Sequence, residues 1–389
     1  MNDANPVLRE RFHNLVSSGV VIPLQYRDDS DQYVEQYDVG TNKSAVDYLD
    51  RLREEVRRVA CSDIPPWTMN SRGGKSRYVM SKEARRLWLE FNQVDRIHKV
   101  WGRERGMHPY LNVGVHLARK WVPRLKWYIC ENNLVLSEEY PRRVLGHIFR
   151  VIRRVCTHQD FRRRIEGLDR KQRENFESCC KYFVDILRTH ARPLVLRVDL
   201  YLEREAKTAA RDGLLGQAEE KFIRNLREDR IIPDVIGYIV RREDSYDRGI
   251  HLHLMVIVDG AKHCKSYALA EIVKEYWIQE CVGSPELASG FNCYLRKHQY
   301  LFAGIGHVHY ADQGALTGVR EAIRYLTLTD CHFLLPESFG KNLRKGQPPR
   351  QPKGKRRGAP RRFGNDVSVA EHILLGKGTN SQPTGHRRQ

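Results

Sequence analysis

The chain has 389 residues, 41% of them hydrophobic, and 67 Lys and Arg against 48 Asp and Glu give a formal net charge of +19. That length exceeds one compact core, so two domains with appendages are expected, and no apolar run approaches the ~18 residues of a membrane span. The positive balance points to nucleic acid or another anionic surface as partner.

The opening residues, MNDANPVLRE, carry no secretory h-region, so no leader is expected. Nine scattered cysteines, with no C-x-x-C pair, argue for a reducing compartment and no disulfide framework. A cytoplasmic, membrane-free protein is expected.

Residues 1 to 188 read as a mostly helical N-terminal domain with a possible DNA-binding role. An extended piece is expected at Val20–Leu24. Val46, Leu49, Leu52 and Val56 recur at three and four residues, which predicts a helix over Ala45–Ala60 that Pro65-Pro66 ends. A Gly-containing basic loop, Ser71–Lys75, follows. Ser81 is placed to cap a further helix with Leu87, Trp88 and Phe91 in its core. Five of the six tryptophans fall between Trp67 and Trp127, interleaved with Arg and Lys. That pattern fits either stacking on unpaired bases or a core beneath a solvated basic face. Tyr140 to Thr189 reads as two or three Arg-rich helices.

At Pro193 the period changes from about 3.6 to 2. Leu194, Leu196, Val198, Leu200 and Leu202 share one face of a strand. Val195, Arg197, Asp199 and Tyr201 share the other, which is free to pair internally or border a site. A helix is expected at Leu214–Asp229, a strand at Val235–Val240, and a strand through Leu254–Val258 that opens with His251 and His253. A helix at Ser266–Cys281, a strand at Leu301–Tyr310, a helix at Gln313–Thr329 and an extended piece at Cys331–Leu335 complete the pattern. The fold class is α+β over residues 189 to 336, an antiparallel sheet with helices covering one face.

Residues 337 to 389 are expected to form a basic, largely flexible tail. Its stretch Lys341–Arg362 carries ten Lys and Arg and no acid. Arg344, Lys345, Lys353, Lys355, Arg356, Arg357, Arg361 and Arg362 are candidate phosphate contacts.

The stretch RREDSYDRGIHLHLMVIVDG, residues 241 to 260, concentrates the chemistry. His251 and His253 point to the same side of one strand, while Ile250, Leu252, Leu254, Val256 and Val258 form an apolar face. A hairpin returning from Val235–Val240 would bring Glu243 level with His251. One carboxylate and two imidazoles suffice for a divalent cation with open positions. A second pair, His307-Val308-His309, leads into a loop instead of an apolar strand. His263, Cys264, Cys281, Cys293 and His298 match no common zinc spacing.

This arrangement resembles motif 2 of the HUH endonucleases, the superfamily of rolling-circle initiators and relaxases. More narrowly, Pro193 to about Arg362 is similar to the inovirus-type replication initiators, also called the YagK/YfjJ C-terminal-domain family. The matching pieces are Leu194–Leu200, the HLHLMVIVDG strand, Tyr276-Trp277, Gly304-Ile305-Gly306 and Arg324-Tyr325-Leu326. The resemblance implies an RRM-like antiparallel sheet, Mg²⁺ or Mn²⁺ held by Glu243, His251 and His253, and Tyr325 as nucleophile. It implies nicking of single-stranded or locally melted DNA, with the 5′ phosphate joined to tyrosine. Arg197, Arg320 and Arg324 are further candidate DNA contacts, and host replication machinery is a candidate partner. On a helical wheel Tyr325 falls opposite the stripe Leu316, Val319, Ile323 and Leu326, off the core and within reach of substrate. Leu328 stands where the family's motif 3 carries Lys. The alternative is therefore a cleavage-impaired DNA-binding protein or regulator on a mobile element. Basicity alone also admits an RNA-binding protein.

Overall fold

The computed structural model describes residues 23–27, 33–37, 41–72, 75–94, 106–126, 128–129, 138–203, 213–245, 249–300, 302–328, 333–335, 340–349 and 367–376. The chain divides into two compact units, one of residues 19–171 and 330–336, the other of 1–18, 172–329 and 337–389. The division falls inside one helix, Gln159–Thr189, upstream of the change of period at Pro193. No helix among the described residues is long and apolar enough to cross a membrane.

The first unit opens with β1 (Pro23–Arg27) paired antiparallel to β2 (Tyr33–Tyr37). Helix α1 (Thr41–Cys61) buries Leu49, Leu52 and Val56, the stripe its spacing predicts. In the basic stretch Ser71–Lys75, β3 (Trp67–Arg72) pairs antiparallel with β4 (Lys75–Met80), Arg72 facing Lys75, while residues 73–74 lie outside the described residues. Ser81 does cap α2 (Lys82–Phe91), its Oγ accepting from the Ala84 amide at 3.3 Å, and Leu87, Trp88 and Phe91 are buried. β5 (Gly106–Met107), α3 (Pro109–Leu125), α4 (Glu139–Thr157) and α5 (Gln159–Thr189) follow, and β5 pairs with Phe333–Leu334. The unit is mostly helical, as expected, with short strand pairs the helical periodicity does not reveal.

The second unit is built on β6 (Leu194–Leu202), β7 (Val235–Ser245) and β8 (Gly249–Val258). They alternate with α6 (Leu214–Arg227) and α7 (Ser266–Tyr276), and β9 (Ala288–Asn292), β10 (Gly306–His307) and α8 (Gln313–Leu328) follow. After the Phe333–Leu334 strand, β11, come β12 (Leu343–Lys345) and α9 (Ser368–Leu375). The sheet order is β10-β6-β8-β7-β12, with every pair antiparallel, and β9 shares the outer edge of β6 with β10. Of the strand expected at Leu301–Tyr310, among the described residues only Gly306–His307 pairs in the sheet.

Helices cover both faces of this sheet, not one. The even residues of β6 and β8, Leu194 to Leu202 and Leu252 to Val258, pack with Leu215, Phe222 and Leu226 of α6 and Val273 of α7. The odd residues Val195, Met255 and Ile257 pack with Phe183 and Ile186 of α5, Leu316 and Ile323 of α8, and Leu374 of α9. Every residue of β6 is consequently buried, including the polar ones at Arg197 and Asp199. Strict alternation looked like a one-sided strand because the second face is polar only along its far half.

Two pieces of the expected flexible tail belong to the fold. Leu343 pairs with Arg241 at the sheet edge, and Ala370 and Leu374 of α9 are buried in the cluster that holds α8. Lys353, Lys355, Arg356, Arg357, Arg361 and Arg362 lie outside the described residues.

Candidate metal centre and its tyrosine

Strand register assembles the centre. β7 and β8 form the hairpin the sequence suggests, and Glu243 faces His251 across it, with Arg241 facing His253. On the other side of β8, Asp199 of β6 also faces His253. All these side chains lie on the α5/α8/α9 side, at the end of the sheet where the core residues give way to polar ones.

The ligating atoms of Glu243, His251 and His253 lie within 4.8 Å of one another, the one such group among the described residues. His251 Nε2 is 3.0 Å from His253 Nε2, and Glu243 Oε2 is 3.0 Å from the same nitrogen. At that distance the pair is an ionic contact, but its angles are not those of a hydrogen bond, and Glu243 Oε2 is a buried oxygen with no hydrogen-bond donor. His251 and His253 are fully buried, and the Glu243 side chain is 13% exposed, the most open of the three.

Asp199 Oδ1 lies 2.6 Å from His253 Nδ1. A carboxylate there holds the proton on Nδ1 and leaves the Nε2 lone pair facing the cluster. His253 Nε2 then meets the His251 Nε2 nitrogen and the Glu243 Oε2 oxygen, each at 3.0 Å. Burial opposes charge on all these groups. Even so, Asp199 and Glu243 push the His253 pKa up to about 9, and His253 holds Glu243 below the usual carboxylate range. Asp199 is likewise held low, against its burial, by His253. The two carboxylates therefore favour positive charge at His253. The residues present fit a divalent ion, which uses the same atoms as ligands. Two imidazoles and a carboxylate leave open positions on such an ion.

Tyr325 faces this cluster from α8. Its hydroxyl is 2.9 Å from His253 Nε2, and the two rings meet edge to face at 5.0 Å between centroids. The wheel expectation of a tyrosine off the core is corrected: Tyr325 is only 3% exposed. Leu316, Val319, Ala322, Ile323, Tyr325, Leu326 and Thr327 are all buried, so α8 is enclosed around most of its circumference. Burial first, then the charges of Glu243 and Asp199, holds the phenol pKa well above its usual 10, while Arg197 pulls the other way.

Arg197 belongs to the same site. It is 6% exposed, and its guanidinium lies over the Tyr325 ring at 5.7 Å and the Tyr300 ring at 5.3 Å. It donates to the Ala303 carbonyl at 3.2 Å. Gly304, at φ +55°, lets that loop close on α8, since a Cβ there would lie 2.5 Å from the Gly318 carbonyl. The other expected DNA contacts among the described residues have partners within the protein. Arg320 and Arg324 pair with Glu321, Arg344 pairs with Glu219 at 3.4 Å, and Lys345 lies over the Tyr182 ring at 5.0 Å.

Asp199 escaped the sequence reading as a ligand partner. Its place on the polar face of β6 was visible, but the register with a strand some fifty residues away was not. His307 and His309 stay apart from the cluster: His307 lies on β10, and the His309 ring stacks near Tyr310 at 4.2 Å. His263 pairs with Asp234, and it joins none of the imagined zinc ligands in a group among the described residues. No family model, curated protein or solved structure matches the chain.

Proposed function

We propose that the chain is a metal-dependent DNA endonuclease and strand transferase that initiates rolling-circle replication from single-stranded or locally melted DNA. The observation that carries this reading is the Tyr325 hydroxyl lying 2.9 Å from His253 inside the Glu243, His251 and His253 group. Glu243, His251 and His253 would hold Mg²⁺ or Mn²⁺, and the bound ion supplies polarisation of a phosphate oxygen and compensation of its charge. Those ions are preferred because phosphate and carboxylate oxygens are hard ligands.

Tyr325 is the nucleophile. Its oxygen forms the bond to phosphorus and gives up its proton, the bond to the 3′ oxygen breaks, and that oxygen leaves as a 3′ hydroxyl once protonated. The phosphotyrosine bond conserves the diester for rejoining. Arg197 stands beside the phenol and favours its ionised form over the neutral one. Asp199 holds His253 in the tautomer that presents Nε2.

A cleavage-impaired DNA-binding protein is the second reading, favoured by Leu328 in place of the family's Lys and by the depth of Tyr325. The two separate on one gel. Circular single-stranded DNA is incubated with protein and Mn²⁺, denatured, and run with and without protease. Nicked DNA with protein attached, absent in Tyr325→Phe, supports the nuclease. Equal binding by both proteins with no cutting by either leaves the binder. Preference for RNA over single-stranded DNA of equal length in filter binding would favour an RNA-binding role instead.

A further inference from the structure

The first unit contains a cleft of 810 Å³ between the β3 entrance, α3 and α4, within the ~300–1,000 Å³ typical of ligand sites. Helix α4 forms its floor. Val144, Leu145, Ile148, Phe149 and Ile152 of that helix are buried in the unit, while Arg143, His147 and Arg150 recur at three and four residues along its exposed side. Arg153 continues that line into the cleft.

Two indoles flank this stripe. Trp67 lies so close to α4 that a Cβ on Gly146 would sit 2.8 Å from the ring. Trp121 of α3 meets His147 edge-on at 5.4 Å, with Lys120 and Arg124 over its face at 5.3 and 5.4 Å. Both indoles are partly buried, and the Trp121 ring N–H is buried with no acceptor in the protein.

The cleft's charge is uncompensated. Arg124, Arg143, Arg150 and Arg153 line it against one carboxylate, Asp63. Arg153 donates to the carbonyls of Val59 and Ile64, at 3.3 and 2.6 Å, and Arg150 to that of Gly146 at 3.3 Å. Among the described residues none of the four is ion-paired. Carbonyls orient a guanidinium without cancelling its charge, so these arginines are aimed and still in want of anions.

We propose that this cleft binds a single-stranded polynucleotide, its bases stacked on Trp67 and Trp121 and its phosphates along Arg143, His147 and Arg150. Aromatic platforms interleaved with a row of cations suit a strand whose bases are unpaired. A duplex hides its base faces, and rings on the floor of a cleft cannot reach them. An acidic peptide would use the cations and leave the indoles idle. The inference stands apart from the metal centre and holds whether or not Tyr325 cuts DNA.

The test uses the full chain and fluorescein-labelled oligo(dT), with oligo(U) in parallel. Arg143→Gln with Arg150→Gln changes two exposed side chains and leaves the packing face of α4 intact. The double variant should bind oligo(dT) about tenfold more weakly, and its slope of log affinity against log salt should flatten by about 1.4, for two lost phosphate contacts. Ultraviolet crosslinking of oligo(dT), mapped by mass spectrometry, should place adducts on Trp67, Trp121 or Tyr140. Oligo(U) bound through the same residues extends the proposal to both sugars, and rejection of oligo(U) narrows it to DNA. Adducts confined to sequence outside residues 63–153, or an unchanged slope in the double variant, overturns it. So does displacement of oligo(dT) by poly-glutamate of equal charge as effectively as by unlabelled oligo(dT), since that outcome requires no stacking.

Discussion

At the scale of single residues, the centre depends on one carboxylate outside the ligand set. Asp199 accepts from His253 Nδ1 at 2.6 Å, and both groups are buried. Partners of this kind typically govern ~10–100-fold in metal affinity. Asp199→Asn keeps the shape and removes the charge, so Mn²⁺ affinity measured by calorimetry should fall by about that factor while circular dichroism stays unchanged. Wild-type affinity in that variant would show that the hairpin alone orients His253. Arg197 offers a second test. It is the cation over the Tyr325 ring, and its role is tested on the proposed reading of Tyr325 as nucleophile. Arg197→Gln should slow formation of the covalent adduct in single turnovers by about 10²-fold, as loss of a charge-stabilising group does, with DNA binding within twofold. Arg197→Lys should recover part of the rate. Equal loss in both variants, or loss of binding in step with rate, would assign Arg197 to packing.

At the scale of elements, the legible parts were those fixed by short-range spacing. The β7–β8 hairpin followed from two strand patterns separated by a turn, and it delivered Glu243 opposite His251. The Ser81 cap and the α1 stripe were equally local. What spacing missed came from tertiary layering. A helical wheel assumes one buried side, but α8 lies between the sheet and its neighbouring helices, so Tyr325 is enclosed although it stands opposite the apolar stripe. Leu343–Lys345 was masked by the basic run around it, yet it extends the sheet beyond β7. The join is ionic: Glu219 of α6 pairs with Arg242 of β7 and Arg344 of β12, and the Glu219 and Arg242 side chains are 2% and 3% exposed. Removing one member of a buried pair strands the other charge, which costs about 3–5 kcal/mol. Glu219→Ala should therefore lower the unfolding free energy measured by urea titration by about that amount, and a loss under about 1 kcal/mol would mean that water already reaches Arg242.

At the scale of the whole molecule, charge is distributed unevenly. Residues 341–389 carry thirteen Lys and Arg against Asp366 and Glu371, a net +11 of the chain's +19. Part of that segment is structural, since β12 caps the sheet edge and α9 packs against α8. Truncation would therefore confuse loss of charge with loss of fold. Substitution avoids this: Lys353, Lys355, Arg356, Arg357, Arg361 and Arg362 become Gln while Leu343–Lys345 and Ser368–Leu375 are kept. Backbone contacts release counterions, so six lost contacts should flatten the salt slope for single-stranded DNA by about 4. Because phosphates carry no sequence, affinity should fall alike for every oligonucleotide. Mn²⁺ affinity should not move, since the candidate ligands are Glu243, His251 and His253, and charged lysine and arginine side chains do not ligate a metal ion. A slope that stays put would place the phosphate contacts in the body of the protein, where Arg143 and Arg150 line the cleft. A slope that falls only for particular sequences would mean that these residues read base edges, a kind of contact distinct from the sequence-blind pairing of a cation with a phosphate.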